Sequence, residues 1–149
     1  MAGRFHPLYD GLWDDEHLEG LSFECHGFFV FLFGNRRQRP SGIYRVTDEQ
    51  MVADTGLPVR RVREYLAALT DRRRIVRDGA WLFVAGYFKR QPKQVRLLDG
   101  VKSDLIACTS ELIREAFFDK YPHLRQWSAD CQETIARPSG DRITKMSHQ

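Results

Sequence analysis

The apolar positions change period along the chain, and the changes outline its elements. Ser22 stands before Phe23-Glu24-Cys25-His26-Gly27-Phe28-Phe29-Val30-Phe31-Leu32-Phe33-Gly34. A cap-type Ser and a Gly about three turns later bracket a helix, and the length of the run favours helix over the strand its aromatic residues would also allow. Because it is apolar on nearly every side, it is expected at the centre of the fold. Asn35 to Gly42 reads as a basic loop, and Ile43-Tyr44-Arg45-Val46 as a short alternating edge strand. Thr47-Asp48-Glu49-Gln50 matches a capping box, so a helix starts there, runs to Thr55 and stops at Gly56. Pro58 suits the first turn of the next helix, which reaches about Arg73. In that helix Val59, Val62, Leu66 and Leu69 share one side, with Arg60, Arg61, Glu64, Ala67 and Ala68 on the other. Arg74 to Arg77, the dipeptide Asp78-Gly79 and Ala80 to Phe88 then form strand, two-residue turn and strand.

The flanks are read from the same patterns. Residues 1–20 mix Phe5, Tyr9 and Trp13 with Asp14, Asp15, Glu16 and Glu19, which suggests an irregular arm laid on the domain. Val95, Leu98, Val101 and Leu105 form one stripe of a helix over Val95 to Ala107. Ser110 caps a second helix, Glu111 to Tyr121, ended by Pro122. From Ser128 the chain is polar and has little to bury, so a mobile tail is expected. The division is therefore an arm (1–20), a central domain (21–93), a helical extension (94–127) and a tail (128–149), with no internal repeat.

Composition narrows the classes. With 149 residues, 42% hydrophobic and 29% charged, one ordinary globular domain is expected. No stretch nears the roughly 18 apolar residues that span a bilayer, and the first residues lack the apolar region of a secretory signal. Cys25, Cys108 and Cys131 are far apart and odd in number, which gives neither a disulfide framework nor a metal knuckle. A reducing, cytoplasmic setting without membrane contact is the expectation. The net charge of +3 hides an asymmetry: residues 1–33 carry −5, residues 34–95 carry +8, and the remainder balances.

Helix, short strand, helix, tight turn, helix and β-hairpin, in that order, are the elements of a winged helix-turn-helix, an α+β and mainly α fold, here with a short hairpin wing and additional C-terminal helices. In that fold the second helix of the helix-turn-helix enters the DNA major groove, about 12 Å wide. The candidate DNA-binding residues are accordingly Arg60, Arg61 and Glu64 on the outward face of that helix. Around it stand Arg36, Arg37 and Arg39 before the first strand, Arg72, Arg73, Arg74 and Arg77 at the hairpin entrance, and Lys89, Arg90 and Lys93 at its exit. Such a basic stripe is the footprint of a nucleic-acid binder, although Arg72 to Arg74 also suit the negative end of a helix. The wing carries only Asp78-Gly79 at its tip and is not expected to grip DNA strongly. Trp81, Phe83 and Phe88 could stack on single strands, but aromatics in an apolar strand belong first to the core.

Gly20-Leu21-Ser22 with the Phe-rich helix, Pro40-Ser41-Gly42-Ile43-Tyr44, Ala53-Asp54-Thr55-Gly56-Leu57-Pro58, the run Trp81 to Gln91, and Gly100-Val101-Lys102-Ser103-Asp104-Leu105 together resemble a known family. It is the N-terminal winged-helix domain of phage replication initiators, or replisome organisers, related to the DnaD-like replication proteins. The resemblance covers roughly residues 20–122. It implies double-stranded DNA binding, commonly at a phage origin, often with self-association as a homodimer and with recruitment of a host helicase or its loader. Members usually continue into a second, helicase-facing domain, which is not matched here, so DNA or protein binding through the winged helix is the part that carries over.

No HExxH, GxSxG, Walker A or Gly-rich phosphate loop is present, so neither an enzyme nor a cofactor is expected. Cys25 and His26 are adjacent but lie on different faces of an apolar helix, where a buried structural Cys is the ordinary case. The leading expectation is a replication initiator-like duplex-DNA binder. The alternatives are a protein-interaction module, such as a phage-encoded inhibitor of a host or defence complex, and a transcriptional repressor. The acidic arm, next to a basic domain, could pack against that domain's own surface.

Overall fold

In a computed structural model, residues 8, 10–91 and 95–127 are described. Ser22 accepts a hydrogen bond from the Cys25 amide at 3.1 Å and so opens α1 (Phe23–Gly34), which buries Cys25, Phe28, Phe29, Leu32 and Phe33. The helix ends at Gly34, as the pattern predicts, but without a left-handed glycine. Asn35 is extended, and its side-chain amide donates to the carbonyls of Phe31 and Leu32, while that of Gln38 donates to Leu32 and Phe33. Two buried amide side chains thus satisfy the carbonyls that a helix end leaves open.

The Thr47–Gln50 capping box is present in both directions and starts α2 (Asp48–Thr55), which closes on Gly56 at φ 75°. Pro58 sits just outside α3 (Val59–Asp71) as its N-cap rather than in its first turn. Val62, Leu66 and Leu69 are buried as expected, joined by Tyr65, whereas Val59 is exposed and Ala68 packs partly inward. The helix stops two residues short of Arg73. That residue takes φ 59°, and the Arg73 and Arg74 amides donate to Thr70 and Leu69, the paired bonds of a Schellman cap with Arg at the left-handed position.

Three strands, β1 (Ile43–Arg45), β2 (Ile75–Asp78) and β3 (Trp81–Val84), form an antiparallel sheet in the order β1-β3-β2. β1 is an edge strand, as predicted. The hairpin turn is Gly79-Ala80, not Asp78-Gly79, because Asp78 pairs with Trp81 and only Gly79 has positive φ, 57°. β3 stops at Val84 and the chain turns, so Phe88 belongs to a 3₁₀ turn (Phe88–Arg90) instead of the strand.

Alternation along the strands decides the layering. Tyr44, Ile75, Leu82 and Val84 face a cluster built with α1, α2 and α3; Ile43, Val76, Trp81 and Phe83 face a second cluster. That second cluster is completed by α4 (Val95–Ala107) and α5 (Glu111–Lys120), where Val101, Leu105, Ile113 and Phe117 are fully buried, and Leu98, expected on the stripe, is exposed. Ser110 caps α5 on the Ile113 amide, as predicted. The mainly helical α+β chain therefore has a small sheet between two helical layers, and the C-terminal helices share its core. Residues 10–20 of the arm are more ordered than their composition suggests: two 3₁₀ turns (Asp10–Leu12, Glu16–Leu18) bury Leu12 and Leu18 in the first cluster. Expectations for residues 1–7, 9, 92–94 and 128–149 lie outside the described residues.

The motifs quoted for the resemblance have packing roles here. A Cβ on Gly42 would lie 2.7 Å from the Val84 carbonyl oxygen, and one on Gly100 would lie 3.1 Å from Pro40. Buried Asp104 accepts hydrogen bonds from the Ser41 amide, the Ser41 hydroxyl and Arg39. Pro40-Ser41-Gly42 and Gly100 to Leu105 are thus two halves of one junction between the basic loop and α4.

Candidate nucleic-acid interface

The outward stripe of α3 is made by residues three and four apart: Arg60, Arg63, Glu64, Ala67 and Asp71 are all exposed. Arg60 is 77% exposed and stands 3.9 Å from Glu64, one turn on. Arg63 Nε lies 3.2 Å from Asp48 Oδ2 on α2, with the Arg side chain largely in solvent. Arg61 is turned toward α1, where its Nη1 meets Glu24 at 3.3 Å and the Tyr65 hydroxyl at the same distance; those partners raise its pKa. Exposed pairs of this kind are worth about 0–1 kcal/mol, so an incoming phosphate can replace Glu64 or Asp48 at small cost.

The other predicted arginines divide by burial. Arg36 is exposed with Asp54 at 3.7 Å, and Arg37, mostly buried, is bonded to the same carboxylate. Arg39 is committed to Asp104 at 2.9 Å. Arg72 donates to the backbone carbonyls of His17 and Glu19, and Arg74 to Asp15, so both fasten the arm. Arg77 is 17% exposed, paired with Asp48 Oδ1 at 3.2 Å, and its other terminal nitrogen is buried without a hydrogen-bond partner. Burial lowers its pKa more than Asp48 raises it. Arg73 is exposed at the end of α3. Lys89 and Arg90 do not join the α3 stripe; they line a cavity at the open end of the hairpin with Arg74 and Lys120. Lys93 lies outside the described residues.

The sequence reading missed two exposed arginines, Arg63 on this surface and Arg45 on the side of the sheet that Ile43 and Trp81 share. Arg63 shares the face of Arg60 by simple i, i+3 spacing, a signal available from the sequence. Arg45, exposed on β1, lies 5.4 Å from the Trp81 ring centroid, a neighbour that only strand pairing reveals. Asp48 is the hub: its two oxygens hold Arg63 and Arg77 on different elements. The hairpin tip is itself tied back, since Asp78 accepts from the Ser110 hydroxyl at 2.6 Å and Trp81 Nε1 donates to Thr109.

Cys25 and Cys108 are buried, the Cys108 thiol donating to the Ser110 carbonyl at 3.5 Å, and burial raises the pKa of Cys25. Among the described residues no three His, Cys, Asp or Glu side chains group as a metal site, and no helix is long and apolar enough to cross a membrane. No protein-family model, curated protein or solved structure matches the chain.

Proposed function

We propose that the chain is a winged-helix protein that binds duplex DNA, with α2 and α3 as the helix-turn-helix, α3 as the groove helix and the β2–β3 hairpin as a short wing, acting in the manner of a phage replication initiator. The observation that carries this reading is the exposed Arg60–Arg63 face of α3, directly after a Gly56-containing tight turn and directly before a hairpin. Arg60 and Arg63 supply base-edge or phosphate contacts, Arg36 and Arg73 supply phosphate contacts, and small Ala67 lets the helix axis approach the groove. Arg37, Arg72, Arg74 and Arg77 serve the fold.

Fluorescence anisotropy with random duplex and single-stranded DNA at two salt concentrations tests it. Duplex affinity should fall with salt by roughly 0.9 log units per phosphate contact per log unit of salt. Absence of duplex binding at low salt would reject the reading.

A second reading rests on a different observation. At the start of α1, Phe23 is 82% exposed and stacks on Trp13 at 5.5 Å between ring centroids. Exposed aromatics of this size favour a protein partner, so a stoichiometric protein complex lost in Phe23→Ser would support an interaction module.

A further inference from the structure

The sheet has an open edge at β1. In the register Ile43 with Phe83, Tyr44 with Leu82 and Arg45 with Trp81, the Val46 amide donates to the Ala80 carbonyl and the Val84 amide to the Gly42 carbonyl. Tyr44 therefore turns its backbone groups toward β3, whereas Ile43 and Arg45 turn theirs outward. The Ile43 amide fits this alternation, since it donates to the Ser41 hydroxyl at 3.0 Å. The Ile43 carbonyl and both backbone groups of Arg45 are left over by the ladder.

A groove follows that edge. It is lined by Arg37, which is bonded to Asp54 of α2, by Asp104 and Ala107 of α4, and by Arg45 and Trp81. Because α2 and α4 belong to the two different helical layers, the groove opens on the edge of the sheet rather than on one face. Its volume of about 230 Å³ is below the roughly 300–1,000 Å³ of small-molecule sites, and unused backbone donors and acceptors call for a strand. The arginines here are not alike. Arg37 is compensated by Asp54, and Arg39 by Asp104, whose second oxygen accepts from Ser41. Arg45 pairs with no carboxylate among the described residues and lies exposed, its guanidinium 5.4 Å from the Trp81 ring centroid. The uncompensated charge along the groove is therefore the positive charge of Arg45.

We propose that β1 is a docking edge for an extended, acidic segment of a partner protein, which adds to the sheet as a further strand. The residue opposite Arg45 exchanges two backbone hydrogen bonds with it and sets a carboxylate on the same face, against the guanidinium. Two places along, an apolar side chain lies beside Ile43 and Ala107. A second copy of this chain fits less well. Pairing Arg45 with its own counterpart opposes like charges, and pairing it with Ile43 of a copy meets an amide that Ser41 already holds. An edge of three residues that carries an arginine also discourages indiscriminate strand pairing, which leaves an oppositely charged strand as the favoured occupant.

The experiment is NMR of the isotopically labelled full chain, titrated with a short synthetic peptide of alternating Val and Glu and, separately, with the same peptide carrying Lys for Glu. The Val/Glu peptide should shift the Arg45 and Trp81 amide signals and slow hydrogen exchange at the Arg45 amide, and the Val/Lys peptide should do neither. Arg45→Ala should weaken binding about threefold. Arg45→Glu should reverse the preference in favour of the Val/Lys peptide, with both variants keeping the circular dichroism spectrum. Methylating alternate peptide nitrogens should abolish binding, because the donors to the Ile43 and Arg45 carbonyls are lost. Arg60→Ala/Arg63→Ala should bind the Val/Glu peptide as the natural chain does, which keeps this test separate from that of the α3 face. No shift at Arg45 with about 1 mM Val/Glu peptide, or an unchanged preference in Arg45→Glu, would overturn the proposal. Shifts at Arg45 and Trp81 caused by single-stranded DNA and not by the peptide would also overturn it, making the edge a nucleic-acid contact.

Discussion

Arg74 Nη1 lies 3.2 Å from Asp15 Oδ2, with only 16% and 9% of the two side chains exposed. This pair joins the arm to the root of the hairpin, beside Leu12 and Leu18 in the core. Removing one member of a withdrawn pair leaves the other charge without its partner, at a cost of about 3–5 kcal/mol. Asp15→Ala should therefore lower stability by several kcal/mol in denaturant unfolding. A change under about 1 kcal/mol would show that the arm is only loosely attached.

Arg73 occupies the left-handed position of the Schellman cap of α3. A side chain there costs about 1–2 kcal/mol, which Gly avoids. Arg73→Gly is expected to raise Tm and, if Arg73 contacts phosphate, to weaken all duplexes alike. Higher stability with unchanged duplex affinity would assign this residue no role in binding.

Local signals in the sequence reported local structure well. The Ser22 cap, the Thr47–Gln50 box, Gly56 and the Ser110 cap each depend on hydrogen bonds spanning three or four residues, and each is found in place. The one-residue error at the hairpin turn has a local cause too: Asp78-Gly79 is a strong turn dipeptide, but pairing of Asp78 with Trp81 and the Ser110 hydroxyl on its carboxylate hold Asp78 in the strand. The candidate site was less legible because ion pairing is a long-range property. Arg72, Arg74 and Arg77 look like solvent cations in sequence, yet their partners lie 29 to 59 positions away in the arm and α2. The acids of the arm hinted at this through the charge asymmetry, without saying which arginine each would meet. Lys120 carried no sequence signal for its cavity, since only the packing of α5 on the sheet brings it to Lys89.

Tyr121 donates its hydroxyl to the Ala85 carbonyl at 2.8 Å, and burial pushes its pKa up to about 12 from an ordinary 10. A raised pKa means that the neutral form is favoured by the fold. Its stabilisation is complete below pH 10 and is lost as pH rises toward 12. Tyr44, buried and bonded to the Leu32 carbonyl, shifts in the same direction. Alkaline unfolding should coincide with phenolate absorbance, and Tyr121→Phe should weaken the pH dependence. Phenolate formation well before unfolding would contradict the buried placement.

Phe117 meets Phe83 at 5.6 Å between ring centroids, and both are almost wholly buried. If the C-terminal helices share the core of the sheet, Phe117→Ala should cost about 3–5 kcal/mol. Unfolding should remain one transition by both far-ultraviolet dichroism and Trp fluorescence. Two separate transitions would mean that α4 and α5 fold apart from the rest.

The last prediction separates arginines that bind from arginines that fold. Arg60 and Arg63 are exposed and held by weak pairs, so alanine at either should leave stability within about 0.5 kcal/mol. If each meets one phosphate, its loss should reduce the slope of log K against log salt by about 1. If either reads a base edge, its alanine variant should also relax sequence preference. Arg77 is different: its charge is turned inward onto Asp48, one terminal nitrogen has no partner, and burial opposes its ionisation. Arg77→Met keeps the stem's packing and leaves Asp48 with Arg63, so duplex affinity should change by less than about twofold. Equal losses of affinity in Arg60→Ala, Arg63→Ala and Arg77→Met would mean that the interface extends over the hairpin and that α3 is not its centre.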